Sequence, residues 1–111
     1  MTRSLRLTRR AEDRLVEIAH WTIERFGPRQ ADIYELELLA LYKAVTKGEV
    51  RGRSCAILVD DAEDLMFLRA GEHFLVFLER PDEIIVVDIP HSRSDLPRHV
   101  AALSALKGEG A

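Results

Sequence analysis

The chain has 111 residues, the size of one domain, and its 47% hydrophobic and 32% charged content excludes a disordered polymer. Its longest apolar stretch, Leu36 to Val45, is interrupted by Glu37 and Lys43 and falls short of the roughly 18 residues that cross a bilayer, and residues 1–6 lack the apolar core of a secretory signal. A net charge of −3 argues against a protein that coats nucleic acid by neutralising phosphates, and the single cysteine, Cys55, has no internal partner, so a cytoplasmic location is expected.

Leu5-Arg6-Leu7-Thr8 alternates apolar and polar residues and predicts a short strand with one buried face. Thr8 is placed to cap a following helix, because its hydroxyl can accept a free backbone N–H of the first turn. Ala11, Leu15, Ile18, Ala19, Thr22, Ile23 and Phe26 recur at three- and four-residue steps and predict a buried stripe on a helix over about 9–26. Gly27-Pro28 then ends one helix and starts the next. The second helix is predicted over about 28–47, with Ala31, Tyr34, Leu38, Leu41 and Val45 as its stripe, widened by Leu39 and Tyr42. So short a link makes the pair an antiparallel hairpin.

Residues 48–64 are mixed and polar and read as a connector, with a short strand expected at Cys55–Val59. Three strands follow, at Leu65–Arg69, His73–Glu79 and Ile84–Ile89; the last is apolar and largely β-branched, as a strand buried on both faces requires. Asp95 and Pro97 open a short final helix over about 96–106, and a frayed tail is expected from about 107 to 111. This order predicts an α+β fold in one domain, residues 1–111. A short N-terminal strand precedes an antiparallel two-helix hairpin, which packs on a mainly antiparallel sheet of three to four strands, and a short C-terminal helix closes the chain.

Charge is unevenly spread. Residues 1–30 hold seven Arg against four acids, and residues 61–90 hold two Arg against eight acids. Such poles read either as solvated faces or as surfaces for different partners. The glycines are isolated, so no phosphate loop is present. His91 and His99 lie eight apart with no cysteine or carboxylate at ligand spacing, so neither a metal nor a cofactor is expected. The acids at 60, 61, 63 and 64 lack the long loop and distal Glu of a calcium site. Cys55 has no histidine nearby in sequence to stabilise a thiolate. The segment that stands out is 90–99, which sets His91, Arg93, Asp95 and His99 just beyond a buried strand, where side chains are exposed on a rigid support.

Leu5-Arg6-Leu7-Thr8-Arg9-Arg10-Ala11-Glu12-Asp13-Arg14-Leu15, then Ile18, Trp21 and Arg25-Phe26-Gly27-Pro28-Arg29-Gln30-Ala31, resemble the toxins of ParE and RelE type. Gly52-Arg53-Ser54, the paired strands over 65–78 and the closing His91-Ser92-Arg93-Ser94-Asp95 are similar to the ParE branch, so that the resemblance runs over about residues 3–103. It implies the α+β fold already read from the pattern, and the toxin of a type II toxin–antitoxin pair. RelE-like enzymes cut mRNA on the ribosome with lysines and arginines on these strands. Here Leu65 and Phe67 fall at the lysine positions, Phe74 falls at an arginine, Arg93 matches the second arginine, and His99 falls at a tyrosine.

The resemblance therefore implies a toxin that is not an enzyme and that inhibits DNA gyrase by binding, neutralised by a ParD-like antitoxin in a hetero-oligomer. The alternatives are an mRNA endonuclease with Arg93 and His99 in residual roles, or a remnant that only binds its antitoxin. Target contacts are expected from Arg69, His91, Arg93, Asp95 and His99. Antitoxin contacts are expected from Trp21, Leu38, Leu39, Tyr42 and Val45, more apolar residues than one helical stripe needs. Neither a membrane nor sequence-specific nucleic-acid binding is expected.

Overall fold

The computed structural model describes residues 2–59, 62 and 64–110, and of residues 105–110 the backbone alone. Along them run β1 (Ser4–Leu7), α1 (Arg9–Phe26), α2 (Pro28–Thr46), β2 (Arg53–Ser54), β3 (Leu65–Ala70), β4 (His73–Glu79), β5 (Glu83–Asp88) and α3 (Leu96–Gly110). The strands form one sheet in the order β1-β5-β4-β3-β2. All neighbours are antiparallel except β1, which lies parallel to β5 with Leu5 beside Ile84 and Leu7 beside Val86.

Thr8 sets the start of α1 as its sequence position predicts. Its hydroxyl accepts the Ala11 N–H at 3.2 Å and donates to the Val87 carbonyl at 3.1 Å. Val87 is the extra residue of a bulge, since Val76 faces Asp88 while the adjacent Phe77 faces Val86. One threonine thus caps the helix and fastens it to the irregular point of the central sheet. Gly27 joins the two helices at φ +90° and ψ 166°, an extended mirror region open in practice to glycine alone. Pro28 then occupies the first turn of α2.

The sheet has an apolar layer on each face. On one side α1 and α2 bury Ala11, Ile18, Leu38, Tyr42 and Val45 against Leu68, Leu75, Phe77, Ile84 and Val86. On the other, α3 places Leu96, Val100 and Leu103 over Leu65, Phe67 and Val76, with Cys55 and Ala62 beside them. The alternation along β3 and β4 sends neighbouring residues to opposite layers, which is why both strands read as continuous apolar runs.

Several expectations need correction. The strand expected at Cys55–Val59 is instead the two-residue β2 followed by one 3-10 turn, Cys55–Ile57. The Ser54 hydroxyl accepts the Ala56 N–H at 3.1 Å, and that local bond bends the chain out of the ladder. With β1 and β2 both in the sheet, there are five strands rather than three to four. On α1 only part of the apolar stripe is core: Ala11, Ile18 and Thr22 are buried, while Ala19, Ile23 and Phe26 are exposed. The backbone of α3 continues to Gly110 rather than stopping near Leu106, and Ala111 lies outside the described residues. Asp60, Asp61 and Glu63 of the acidic connector also lie outside them.

The charge poles of the sequence face each other. Arg3 pairs with Glu79 at 2.8 Å, Arg6 with Glu83 at 3.4 Å and Arg14 with Asp88 at 3.0 Å. Placing β1 beside β5 brings N-terminal arginines onto the acids of residues 61–90, so part of the asymmetry is internal pairing rather than two outward surfaces. Among the described residues no helix is long and apolar enough to cross a membrane.

Candidate functional site

The segment after β5 keeps following β4. Phe74 N–H donates to the Pro90 carbonyl at 2.8 Å, Ser92 N–H donates to Glu72 at 2.8 Å, and His91 pairs with His73 between them. His91 Nδ1 accepts the Arg93 N–H at 3.0 Å, a tight turn that leaves the Arg93 side chain exposed. Asp95 accepts the Arg98 N–H at 3.2 Å and caps α3 as expected. His99 follows in the first turns of that helix, half-buried.

Arg69 stands apart from His91. Its Nε donates to the Gly71 carbonyl at 2.5 Å, and its guanidinium lies 5.6 Å from the Phe74 ring centre. Phe74 packs in the layer under α3, whereas His91 contacts Trp21 of α1. Arg69 also borders a depression with Tyr34, Glu37 and Leu38, at the rim between the two layers. Of the expected target contacts, Arg69 and Arg93 are exposed, while Asp95 is engaged in holding α3.

On the hairpin side, Trp21, Tyr34, His73 and His91 form one ring cluster. The His73 ring centre lies 5.0 Å from His91 and 5.6 Å from Tyr34, and Trp21 meets His91 edge-on at 5.5 Å. The Tyr34 hydroxyl is saturated: it donates to Ala70 at 2.8 Å, accepts Glu72 N–H at 3.1 Å and lies 2.7 Å from His73 Nδ1. With the hydroxyl proton on Ala70, the histidine contact requires the imidazole proton on Nδ1. Burial, then His91, Arg14 and Arg69, push the His73 pKa down to about 4, so the ring is neutral near neutral pH. Tyr34 thereby staples the β3–β4 turn to α2. Gly71 at that turn has φ +60°, and a Cβ there would stand 2.6 Å from Tyr34 Cε1.

Beside the cluster, Asp88 is fully buried. Its carboxylate accepts Arg14 Nε at 3.0 Å and Nη2 at 3.5 Å, and Ile89 N–H at 2.8 Å. The bond to Asp88 is the main reason the Arg14 pKa rises above its ordinary value. Cys55 is buried, and burial followed by the charge of Asp64 pushes its thiol up to about 11, the reverse of an activated nucleophile.

The outer side of the hairpin carries a groove of about 320 Å³ between α1 and α2. Val16, Ala19 and Ile23 line one wall; Ala31, Asp32, Glu35 and Leu39 line the other. Here the expected partner contacts divide. Leu38, Tyr42 and Val45 are buried in the core and serve packing, because α2 turns them onto the sheet. Leu39 is 43% exposed and Trp21 is half-buried. The exposed apolar residues Val16, Ile23 and Phe26 belong with them. The Tyr42 hydroxyl, at the groove floor, has no hydrogen-bond partner among the described residues, and burial raises its pKa to about 12.

Sequence reading missed Tyr34 and His73 as partners, and the Arg14–Asp88 pair. These contacts span 39 and 74 positions, and no local pattern announces them. Only Val16 carried a readable signal: an apolar residue off the main stripe of its own helix.

Residues 5–96 match the family described as "ParE toxin of type II toxin-antitoxin system, parDE". Among solved structures the chain is similar to one described as "Chromosomal ParDE TA system from P. aeruginosa". That likeness has a TM-score of 0.66 at 19% identity and covers 81% of this chain and 96% of that one, and it shows the fold. No curated protein matches the sequence.

Proposed function

The chain belongs to the ParE toxin family of type II toxin–antitoxin systems, and from that premise we propose that it is the toxin of such a pair, acting on DNA gyrase by binding and neutralised by a ParD-like antitoxin. The family match over residues 5–96 carries the proposal. Binding rather than catalysis is the mode of action. Leu65 and Phe67, at the positions where RelE-like enzymes carry lysines, are buried under α3, so those strand positions present no cation to a phosphate. Phe74, at an arginine position, is half-buried in the same layer.

The roles divide between two surfaces. Arg69, Arg93 and His99 are the target contacts, with His91 and Asp95 holding the turn that presents Arg93. The hairpin groove takes the antitoxin, with Leu39 and Trp21 as contacts and Leu38, Tyr42 and Val45 as its support. An apolar groove between two helices suits an amphipathic segment that folds as it binds. Action on gyrase sets the place of work in the cytoplasm.

The test is gyrase supercoiling with purified toxin. Inhibition is expected, weakened by Arg93→Ala or Arg69→Ala; normal supercoiling at excess toxin rejects the target. Co-purification with the product of the neighbouring small gene tests the antitoxin separately. Codon-linked mRNA cuts in a translating extract, lost in His99→Ala, would return the chain to the enzyme class.

A further inference from the structure

The groove between α1 and α2 does not end at the hairpin. It shares Thr22 and Tyr34 with a second depression of about 330 Å³, lined also by Trp21, Phe26, Gln30 and Glu72. Together they make one track from the middle of the hairpin to the β3–β4 turn. Its charged lining is mainly acidic: Asp32 and Glu35 stand in the groove and Glu72 in the second depression, while the cations Arg25, on the Trp21 ring, and Arg69, in an adjoining depression that shares Tyr34 and Leu38, stand at its margins. Asp32 and Glu35 are three apart on α2 and so share one side of the helix. Glu72 is tied in place through its backbone N–H on Tyr34.

The second depression adds aromatic faces to its carboxylate. Trp21 and Phe26 meet edge-on at 6.0 Å, Tyr34 lies across from them, and Phe26 is 62% exposed. Rings beside a carboxylate attract an organic cation through both the ring quadrupole and the charge. The Trp21 ring already shows this affinity, since the guanidinium of Arg25 lies 5.0 Å from its centre.

We propose that this track is a receptor for a cationic amphipathic helix, which seats one lysine or arginine at Glu72 between Trp21, Phe26 and Tyr34 and turns others toward Asp32 and Glu35. The inference rests on the reading that the hairpin is the antitoxin's docking face, and adds the chemistry that the docking segment carries. Apolar contacts with Val16, Ile23 and Leu39 supply adhesion. The acids supply selection, because a neutral or acidic helix of the same shape leaves them unpaired or repelled.

Three fluorescein-labelled amphipathic peptides test it, with one leucine stripe and polar faces of lysine, glutamine or glutamate. Polarisation reads binding to the full chain, and Trp21, the only tryptophan, reports locally. The lysine peptide should bind about tenfold tighter than the glutamine peptide at low salt, the combined effect of three solvent-facing ion pairs. The glutamate peptide should bind more weakly than either. Asp32→Asn, Glu35→Gln and Glu72→Gln together should erase the preference and keep the glutamine-peptide affinity. Neutralising Glu49 and Asp82, exposed elsewhere, should leave the preference intact. Equal affinities for lysine and glutamine peptides overturn the charge inference while hairpin docking stands. No binding by any peptide, with the antitoxin complex still formed, moves docking elsewhere and overturns it too. A dimer of the chain abolished by Leu39→Glu would assign the face to a second copy and also overturn it.

Discussion

Replacing Arg14 by Met should destabilise the protein far more than loss of a surface charge. Arg14 is partly exposed, but its partner is not: Asp88 is fully buried and takes two of its three hydrogen bonds from the guanidinium. Arg14→Met leaves a buried carboxylate with one backbone donor, a change that costs about 3–5 kcal/mol. With an unfolding entropy of about 0.23 kcal/mol/K for 111 residues, the melting temperature should fall by about 13–21 °C. Removing only the other contact of Arg14, by Glu17→Gln, should cost less than about 0.5 kcal/mol, because that pair faces solvent. The double change Arg14→Met, Asp88→Leu should recover most of the loss. A remainder of about 1 kcal/mol is expected from the Ile89 N–H, which loses its acceptor. Urea titrations of the unchanged protein, Arg14→Met, Asp88→Leu and the double variant close the cycle. If Arg14→Met costs under about 1 kcal/mol, or the two losses simply add, Asp88 is not an uncompensated buried charge and the reasoning fails.

The depressed pKa of His73 makes stability depend on pH. The unfolded ring binds a proton near 6.5 and the folded one near 4, so stability is complete above pH 6.5 and is lost as pH falls toward 4, by up to about 3 kcal/mol. Denaturation across that window should show the slope, and His73→Gln should flatten it. Gly71→Ala should cost about 1–2 kcal/mol for the left-handed backbone alone, and more as the new methyl displaces Tyr34; thermal melting reads the loss, and an unchanged melting temperature would show that the turn and Tyr34 yield freely. Leu38→Ala should cost about 2–5 kcal/mol, while Leu39→Ser should stay within about 0.5 kcal/mol and instead weaken antitoxin capture. Equal losses of stability at both positions would mean that the groove wall is core.

What the sequence disclosed was local. Thr8, Gly27-Pro28 and Asp95 mark helix boundaries because a cap or a backbone conformation is decided within four residues. The strands at 65–70 and 73–79 are legible because burial on both faces leaves no polar alternation. What stayed hidden depends on distance in the chain. Nothing in Leu5 or Leu7 says that their strand runs parallel to one about 79 residues later. The same separation conceals the pairing of Arg3, Arg6 and Arg14 with acids that, in sequence, look like a separate pole. Periodicity predicts the whole apolar stripe of α1 as core because it records which residues share a face, not whether a neighbour covers it; Ile23 and Phe26 are left on the groove side. Of the expected site, Arg93 and Leu39 were placed on surfaces as anticipated, whereas Tyr42 and Val45 were drawn inward by the sheet.

The parallel pairing of β1 with β5 also orders events in time. Ser4 meets Glu83, and Arg3 meets Glu79, so β1 has no strand neighbour until residues 83–86 have been made. The helical hairpin that follows it is made early too, yet the strands that cover its apolar side come from residues 65–88. A nascent chain therefore carries an uncovered amphipathic hairpin until residues 65–88 have followed it, and closes in a long-range step.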